Sequence, residues 1–269
     1  MRAATDSPAG NGAGMFDRPW RIAATGFCFF VFGAAGVLVA IFVVPPLLLL
    51  VWNADRRRQL SRLVVHHFFR FFIGLMNFVG VLSYELHDIE RLQRPGLLIL
   101  ANHPSLIDVI FIISLIPQAG CVVKSALVRN PFTRAPVKAS GYITNDTGLA
   151  LVEDCGRALT QGESLVIFPE GTRTPLTGEV TLQRGAANVA IRCRKAVTPV
   201  VITCTPRGLA KTQKWYRVPP KRMHFVIRVH DDLQVDRFLE LGTPEPVAVR
   251  RLNEQLRSFF EQESVRAAP

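Results

Sequence analysis

Between Ile22 and Trp52 the chain reads IAATGFCFFVFGAAGVLVAIFVVPPLLLLVW, without one charged residue. A bilayer core needs only about 20 apolar residues to be crossed as a helix, so this run has the length and character of a membrane segment. A secretory leader is disfavoured, because the run is too long and Arg56-Arg57-Arg58 follows it. Pro45-Pro46 interrupts the run, since proline withholds a backbone donor and restricts the residue before it. Arg18 and Arg21 flank the near side, and Arg56 to Arg58 and Arg62 flank the far side. A single crossing with the larger cluster inside leaves the rest of the protein cytoplasmic. A re-entrant segment fits the two-sided charge equally well.

Leu63 to Leu82 is apolar but, with Arg62 just before it, carries His66, Arg70 and Asn77 along one helical face. Phe68, Phe69, Phe71, Phe72 and Phe78 cover much of the remainder. Directly after a lipid-soluble run, this pattern reads as an interfacial helix, with a core helix of the soluble domain as the alternative. Residues 1–21 are expected to be a mobile tail and residues 22–82 membrane-anchoring helices. Residues 83–269 are expected to form one further domain, which carries the chemistry.

The 32 Lys and Arg against 21 Asp and Glu leave a net charge of +11. That balance suits anionic membrane lipid or nucleic acid as a partner. Nucleic acid is set aside, because no zinc-finger spacing or RRM aromatic motif is present and so much of the chain is lipid-soluble. The five cysteines, at 28, 121, 155, 193 and 204, contain no C-x-x-C pair, and no HExxH accompanies them. Reduced, buried cysteines and no metal site are expected. G-x-S-x-G and G-x4-G-K-[ST] are both absent, which disfavours a serine hydrolase and a P-loop enzyme.

Beyond Ser83, strand candidates 97–102, 164–168, 197–204 and 223–229 alternate with helical patterns at 105–116, 147–160, 184–194 and 246–262. The fold class expected is α/β, a mixed sheet flanked by helices. Two clusters follow strand ends, where open α/β sheets bind ligands. The first is Asn102-His103-Pro104-Ser105-Leu106-Ile107-Asp108, with Ser105 placed to cap the following helix. In one continuous helix, positions 103 and 108 would stand about 140° apart. With His103 in the loop, Asp108 can fold back and fix the tautomer of an imidazole that takes a proton from a hydroxyl. The second cluster is Pro169-Glu170-Gly171-Thr172-Arg173, where glycine admits a close ligand and arginine suits phosphate.

In this order and spacing, NHPSLID and FPEGTR, with VTPVV at 197–201, resemble the glycerolphosphate and lysophospholipid acyltransferase family over roughly residues 83 to 230. The resemblance implies a membrane-associated O-acyltransferase at the cytoplasmic face of the inner membrane. His103 would be the general base, oriented by Asp108. The acyl donor would be acyl-CoA or acyl carrier protein, with no cofactor, metal or covalent intermediate. Asn102, Glu170, Gly171, Thr172 and Arg173 would shape the acceptor site, and Pro199, with Thr198 and Val200, the acyl pocket. Lys124, Arg129 and Arg184 are candidate contacts to phosphate or carrier, or simply solvated charges. The acceptor implied is a lysophospholipid, 1-acylglycerol-3-phosphate first. One departure bears on that choice: Asn145-Asp146 stand where the family carries a phosphate-binding arginine. A non-phosphate lipid or alcohol acceptor is therefore the alternative. A membrane lipid-binding protein without catalysis is the rival from another class.

Overall fold

The computed structural model describes residues 17–145, 148–175, 177, 180–210, 213–214, 216–239 and 242–266. Residues 1–16 of the expected tail lie outside that set. Helix already begins at Asp17, ahead of the boundary placed at residue 22.

Helix α1 (Asp17–Leu38) runs through a π-helical turn (Val39–Val43) into α2 (Val44–Leu50). The prolines do not stop the helix. They occupy the first turn of α2, where a missing N–H costs least, and the widened turn before them absorbs the mismatch. After Val51–Asn53, where the Asn53 side chain accepts the Arg56 N–H at 2.9 Å, the chain returns as α3 (Ala54–Phe78). The Trp20 indole donates to the Val79 carbonyl at 3.2 Å, so the start of α1 lies beside the end of α3 and the two form an antiparallel hairpin. Phe32 packs between Phe68 and Phe72 across it, at ring separations of 5.1 and 4.8 Å.

Three members of the polar stripe on α3, Arg62, His66 and Asn77, meet the rest of the protein, opposite to the interfacial reading, while Arg70 is exposed. Arg62 is buried, its Nε donating to Ser140 O at 2.9 Å and its Nη2 pairing with Glu163 at 2.9 Å. His66 is buried with Nδ1 3.0 Å from Ile113 O, and Asn77 accepts from Arg222. Phe71 and Phe78 instead face outward. The stripe satisfies carbonyls of the soluble domain, which periodicity cannot distinguish from water as a partner. Thus α3 is a core helix on one side and a seat for α1 on the other.

The soluble domain follows in chain order: β1 (Leu82–His87), β2 (Leu98–Ala101), α4 (Asp108–Leu115), β3 (Gly120–Val123), α5 (Ser125–Arg129), α6 (Pro131–Ala139), β4 (Ile143–Thr144), α7 (Gly148–Thr160), β5 (Leu165–Ile167), α8 (Arg184–Arg192), β6 (Val197–Thr205), β7 (Met223–Val229) and α9 (Glu245–Arg266). The strands form one sheet in the order β1-β7-β6-β2-β5-β3-β4. It is mixed, because β7 runs antiparallel to β6 while the other pairs are parallel. Both faces are covered, which explains why the central strands read as unbroken apolar runs. Ile99, Ala101, Val200 and Ile202 pack towards α3 and α4. Leu98, Leu100, Val197 and Val201 pack towards α7, α8 and α9.

Gly141, between α6 and β4, has φ +63°, and a Cβ there would lie 2.6 Å from Arg58 Cδ. Gly141→Ala should therefore cost about 1–3 kcal/mol, from left-handed strain and the displaced Arg58. A lowered thermal midpoint is the expected result, and an unchanged one would show that Arg58 moves freely.

Candidate active site

Strand β2 ends at Ala101, and Asn102 extends its pairing by side chain. The Asn102 Nδ2 donates to Ile202 O at 2.8 Å and its Oδ1 accepts Ile202 N at 2.7 Å. Those bonds occupy the amide in joining β2 to β6, so Asn102 holds the loop base in place of the substrate role expected for it.

The loop then turns so that His103 meets Asp108, whose residue opens α4. His103 Nδ1 lies 2.9 Å from Asp108 Oδ2, which also accepts the Ser105 N–H at 2.6 Å. Ser105 does not cap the helix as expected: α4 starts after Ile107 without a side-chain cap, and the Ser105 hydroxyl accepts the Ile107 N–H at 3.4 Å instead. The carboxylate is fully buried, and among the described residues its Oδ1 has no hydrogen-bond partner. Burial pushes the Asp108 carboxyl above the ordinary carboxylate range, while the His103 and Ser105 bonds and the Arg173 charge draw it back. An Nδ1–H donated to Asp108 leaves His103 Nε2 as the proton acceptor. The Phe168 ring lies 4.7 Å from the imidazole and limits its motion.

Strand β5 delivers the second cluster beside the first. Glu170 Oε1 accepts the His103 backbone N–H at 2.8 Å and the Thr174 hydroxyl at 2.9 Å, and Thr174 N donates to His103 O at 2.7 Å. The Glu170 carboxyl is buried, which raises its pKa, with these bonds opposing. It therefore clamps the two loops together, where an acceptor contact was expected. Gly171 has φ +63°, the left-handed geometry that carries the chain from Glu170 to Arg173. Arg173 Nη1 donates to Leu209 O at 2.8 Å and Ala210 O at 3.0 Å. Among the described residues its Nε and Nη2 make no hydrogen bond. Thr172 is partly exposed in the same loop.

Pro199 is placed away from this cleft. It pairs with Leu100 in mid-strand and shares the sheet face of Val197 and Val201, opposite α4. Thr198 donates its hydroxyl to Asp232 at 2.7 Å, also within the framework. Lys124, Arg129 and Arg184 are exposed. Asn145 is exposed at the end of β4, its N–H bonded to Val123 O, and Asp146 lies outside the described residues. All five cysteines are free, and among the described residues no cluster of His, Cys, Asp and Glu could hold a metal ion. Sequence reasoning passed over the 206–210 segment, whose Leu209 carbonyl also accepts the Leu106 N–H at 3.1 Å. The unbroken positive charge of residues 206–222 was its available signal.

The Acyltransferase family model matches residues 83–203, the segment that holds both clusters. A 1-acyl-sn-glycerol-3-phosphate acyltransferase of Pseudomonas aeruginosa is 28% identical over 149 residues, 53% of this chain and 58% of that protein. One of Helicobacter pylori is 31% identical over 133 residues, 46% of this chain and 56% of that protein. The chain thus spans less than two thirds of the length of these curated relatives. The crystal structure of the 1-acyl-sn-glycerophosphate (LPA) acyltransferase of Thermotoga maritima has the same fold, with a TM-score of 0.66 at 17% identity over 90% of this chain and 97% of that one. Matched segment, motif order and fold agree: residues 83–203 are similar to the Acyltransferase family, and the chain shares the fold of a solved 1-acyl-sn-glycerophosphate acyltransferase.

Proposed function

We propose that the protein is a membrane-associated O-acyltransferase that moves a fatty acyl group from an acyl thioester, acyl-CoA or acyl carrier protein, to a hydroxyl of a lysophospholipid, 1-acylglycerol-3-phosphate first. The observation that carries this reading is the His103–Asp108 pair, with the carboxylate buried and Nε2 left as the acceptor. The acceptor hydroxyl gives its proton to Nε2 as its oxygen attacks the thioester carbonyl. The tetrahedral intermediate then collapses, the C–S bond breaks, and the imidazolium returns the proton to the departing sulfur. Ester and free thiol are the products, and His103 ends as it began. The names of the curated relatives support the phosphate acceptor.

The test is thiol release and lipid product formation by purified protein in detergent. Both donors are offered against glycerol-3-phosphate, 1-acylglycerol-3-phosphate, other lysophospholipids and neutral alcohols, with His103→Ala alongside. Transfer that is lost in the variant supports the reading. Equal inertness of both proteins with retained lipid binding would favour a lipid-binding role.

The helix Arg18–Leu50 is about 50 Å long by its rise, yet both its ends rest on the soluble domain. Arg21 donates to Pro220 O at one end, and α2 touches α6 at the other. This geometry supports a helix lying in one leaflet rather than crossing the membrane. Phe30, Phe42, Leu49 and Leu50 are its most exposed apolar side chains, and Trp52, just after it, and Phe78, in α3, are exposed as well. Leu49→Asp/Leu50→Asp should weaken binding to phosphatidylglycerol vesicles by at least about ten-fold in sedimentation, because each leucine leaves the apolar layer. Unaltered binding would place the membrane contact elsewhere.

A further inference from the structure

The segment joining β6 to β7, residues 206–222, carries Arg207, Lys211, Lys214, Arg217, Lys221 and Arg222 and not one acidic residue. Its first part is bound directly to the catalytic loops. Strand β6 is the neighbour of β2, with Ala101 opposite Val200, and it runs on to Thr205, past the point where His103 leaves the sheet. Leu209 is buried at φ +56°, unusual for a leucine, and its carbonyl accepts from both Leu106 and Arg173. In the opposite direction, Arg207 Nη1 donates to Pro175 O at 3.2 Å. Pro175 follows Thr174, which is bonded to the His103 carbonyl at 2.7 Å. Two guanidinium groups, one from each loop, are therefore latched reciprocally at the mouth of the site.

Position 145 is poorly placed to compensate for its own missing cation. It ends β4, three strands from β2, or roughly 14 Å across the sheet. Arg207 rises from the adjacent strand. We infer that Arg207, acting with Arg173, binds the phosphate monoester of the acceptor, the role left without a cation at Asn145. The inference rests on the acyltransferase reading above. A guanidinium offers paired N–H donors matched to phosphate oxygens. In 1-acylglycerol-3-phosphate the ester oxygen of the phosphate is on the carbon next to the one bearing the free hydroxyl. Holding the phosphate beside the Thr174–Pro175 turn therefore presents that hydroxyl towards His103.

The experiment compares wild type, Arg207→Ala and Arg207→Lys, with 1-acylglycerol-3-phosphate against monoacylglycerol as acceptor and acyl-CoA against acyl carrier protein as donor. Arg207→Ala is expected to raise KM for the phosphate acceptor about ten-fold or more, with kcat changed by less than about two-fold. The ratio of kcat/KM for the two acceptors should fall by the same factor, and lysine should restore part of it. A second arm measures binding of 1-acylglycerol-3-phosphate by calorimetry in His103→Ala protein, where turnover is blocked. Adding Arg207→Ala there should weaken binding about ten-fold. An unchanged Kd, an equal loss for both acceptors, or a KM shift confined to acyl-CoA would overturn the assignment, the last showing that the cation serves the donor's phosphates. Wild-type inertness towards every acceptor would refute the acyltransferase reading separately, while the calorimetric arm still judges Arg207.

Discussion

His103→Ala is expected to lower kcat by about 10³-fold, within the 10²–10⁴ range of a positioned acid–base group, with KM for the acceptor changed little. The imidazole lies between the Phe168 ring and the Asp108 carboxylate, and its removal leaves the Glu170 clamp on the backbone N–H intact. Asp108→Asn should cost about 10²–10³-fold by another route. An asparagine turns an N–H towards Nδ1, the proton moves to Nε2, and the base has no lone pair for the acceptor hydroxyl.

Stability should move in the opposite direction for the same substitution. Burial raises the Asp108 and Glu170 carboxyls above their ordinary values of 3.8 and 4.5. A raised folded-state pKa means that the folded chain holds protons that the unfolded chain releases. Their contribution to stability therefore declines as pH rises from about 4 through those raised values. Asp108→Asn should flatten that decline and melt higher than wild type at pH 7. Thermal scans across pH 4–8 measure it, and a lower midpoint at every pH would show that the His103 and Ser105 bonds outweigh the cost of the buried charge.

Glu170→Ala carries the largest expected effect on stability. One oxygen accepts both the His103 N–H and the Thr174 hydroxyl, so truncation strands two donors in a buried setting. A loss of about 2–4 kcal/mol follows, with activity lost as the histidine loop detaches from the PEGTR loop. Glu170→Gln keeps an acceptor oxygen and should retain most of both. Denaturant unfolding with parallel turnover separates the two views of this residue. A variant of full stability and raised acceptor KM would return Glu170 to the acceptor site.

How much of this was legible varies with how local the physics is. The strands 197–205 and 223–229 and the helix after Gln183 lie almost where their apolar patterns put them, because burial on both faces of the sheet writes a continuous signal. Strands β1, β3 and β4 escaped notice. In β1 the alternation of Leu82, Tyr84 and Leu86 with Ser83, Glu85 and His87 spans only six residues directly after an apolar helix, and β3 and β4 are too short to carry a period. The inward turn of the α3 stripe was equally hidden. Arg62 and His66 have spacing alike for water and for the Ser140 and Ile113 carbonyls that they meet.

The sequence by itself determined an apolar segment ahead of an α/β domain and brought His103 within reach of Asp108, since each depends on neighbours close along the chain. Only the tertiary structure decided that Asn102 and Glu170 are bound into the framework, that Pro199 lies on the far face of the sheet, and that Arg207 comes beside Pro175. Those outcomes turn on strand order and on which face a side chain takes. Both are set by burial against elements up to a hundred residues away, as when Asn102 closes on Ile202.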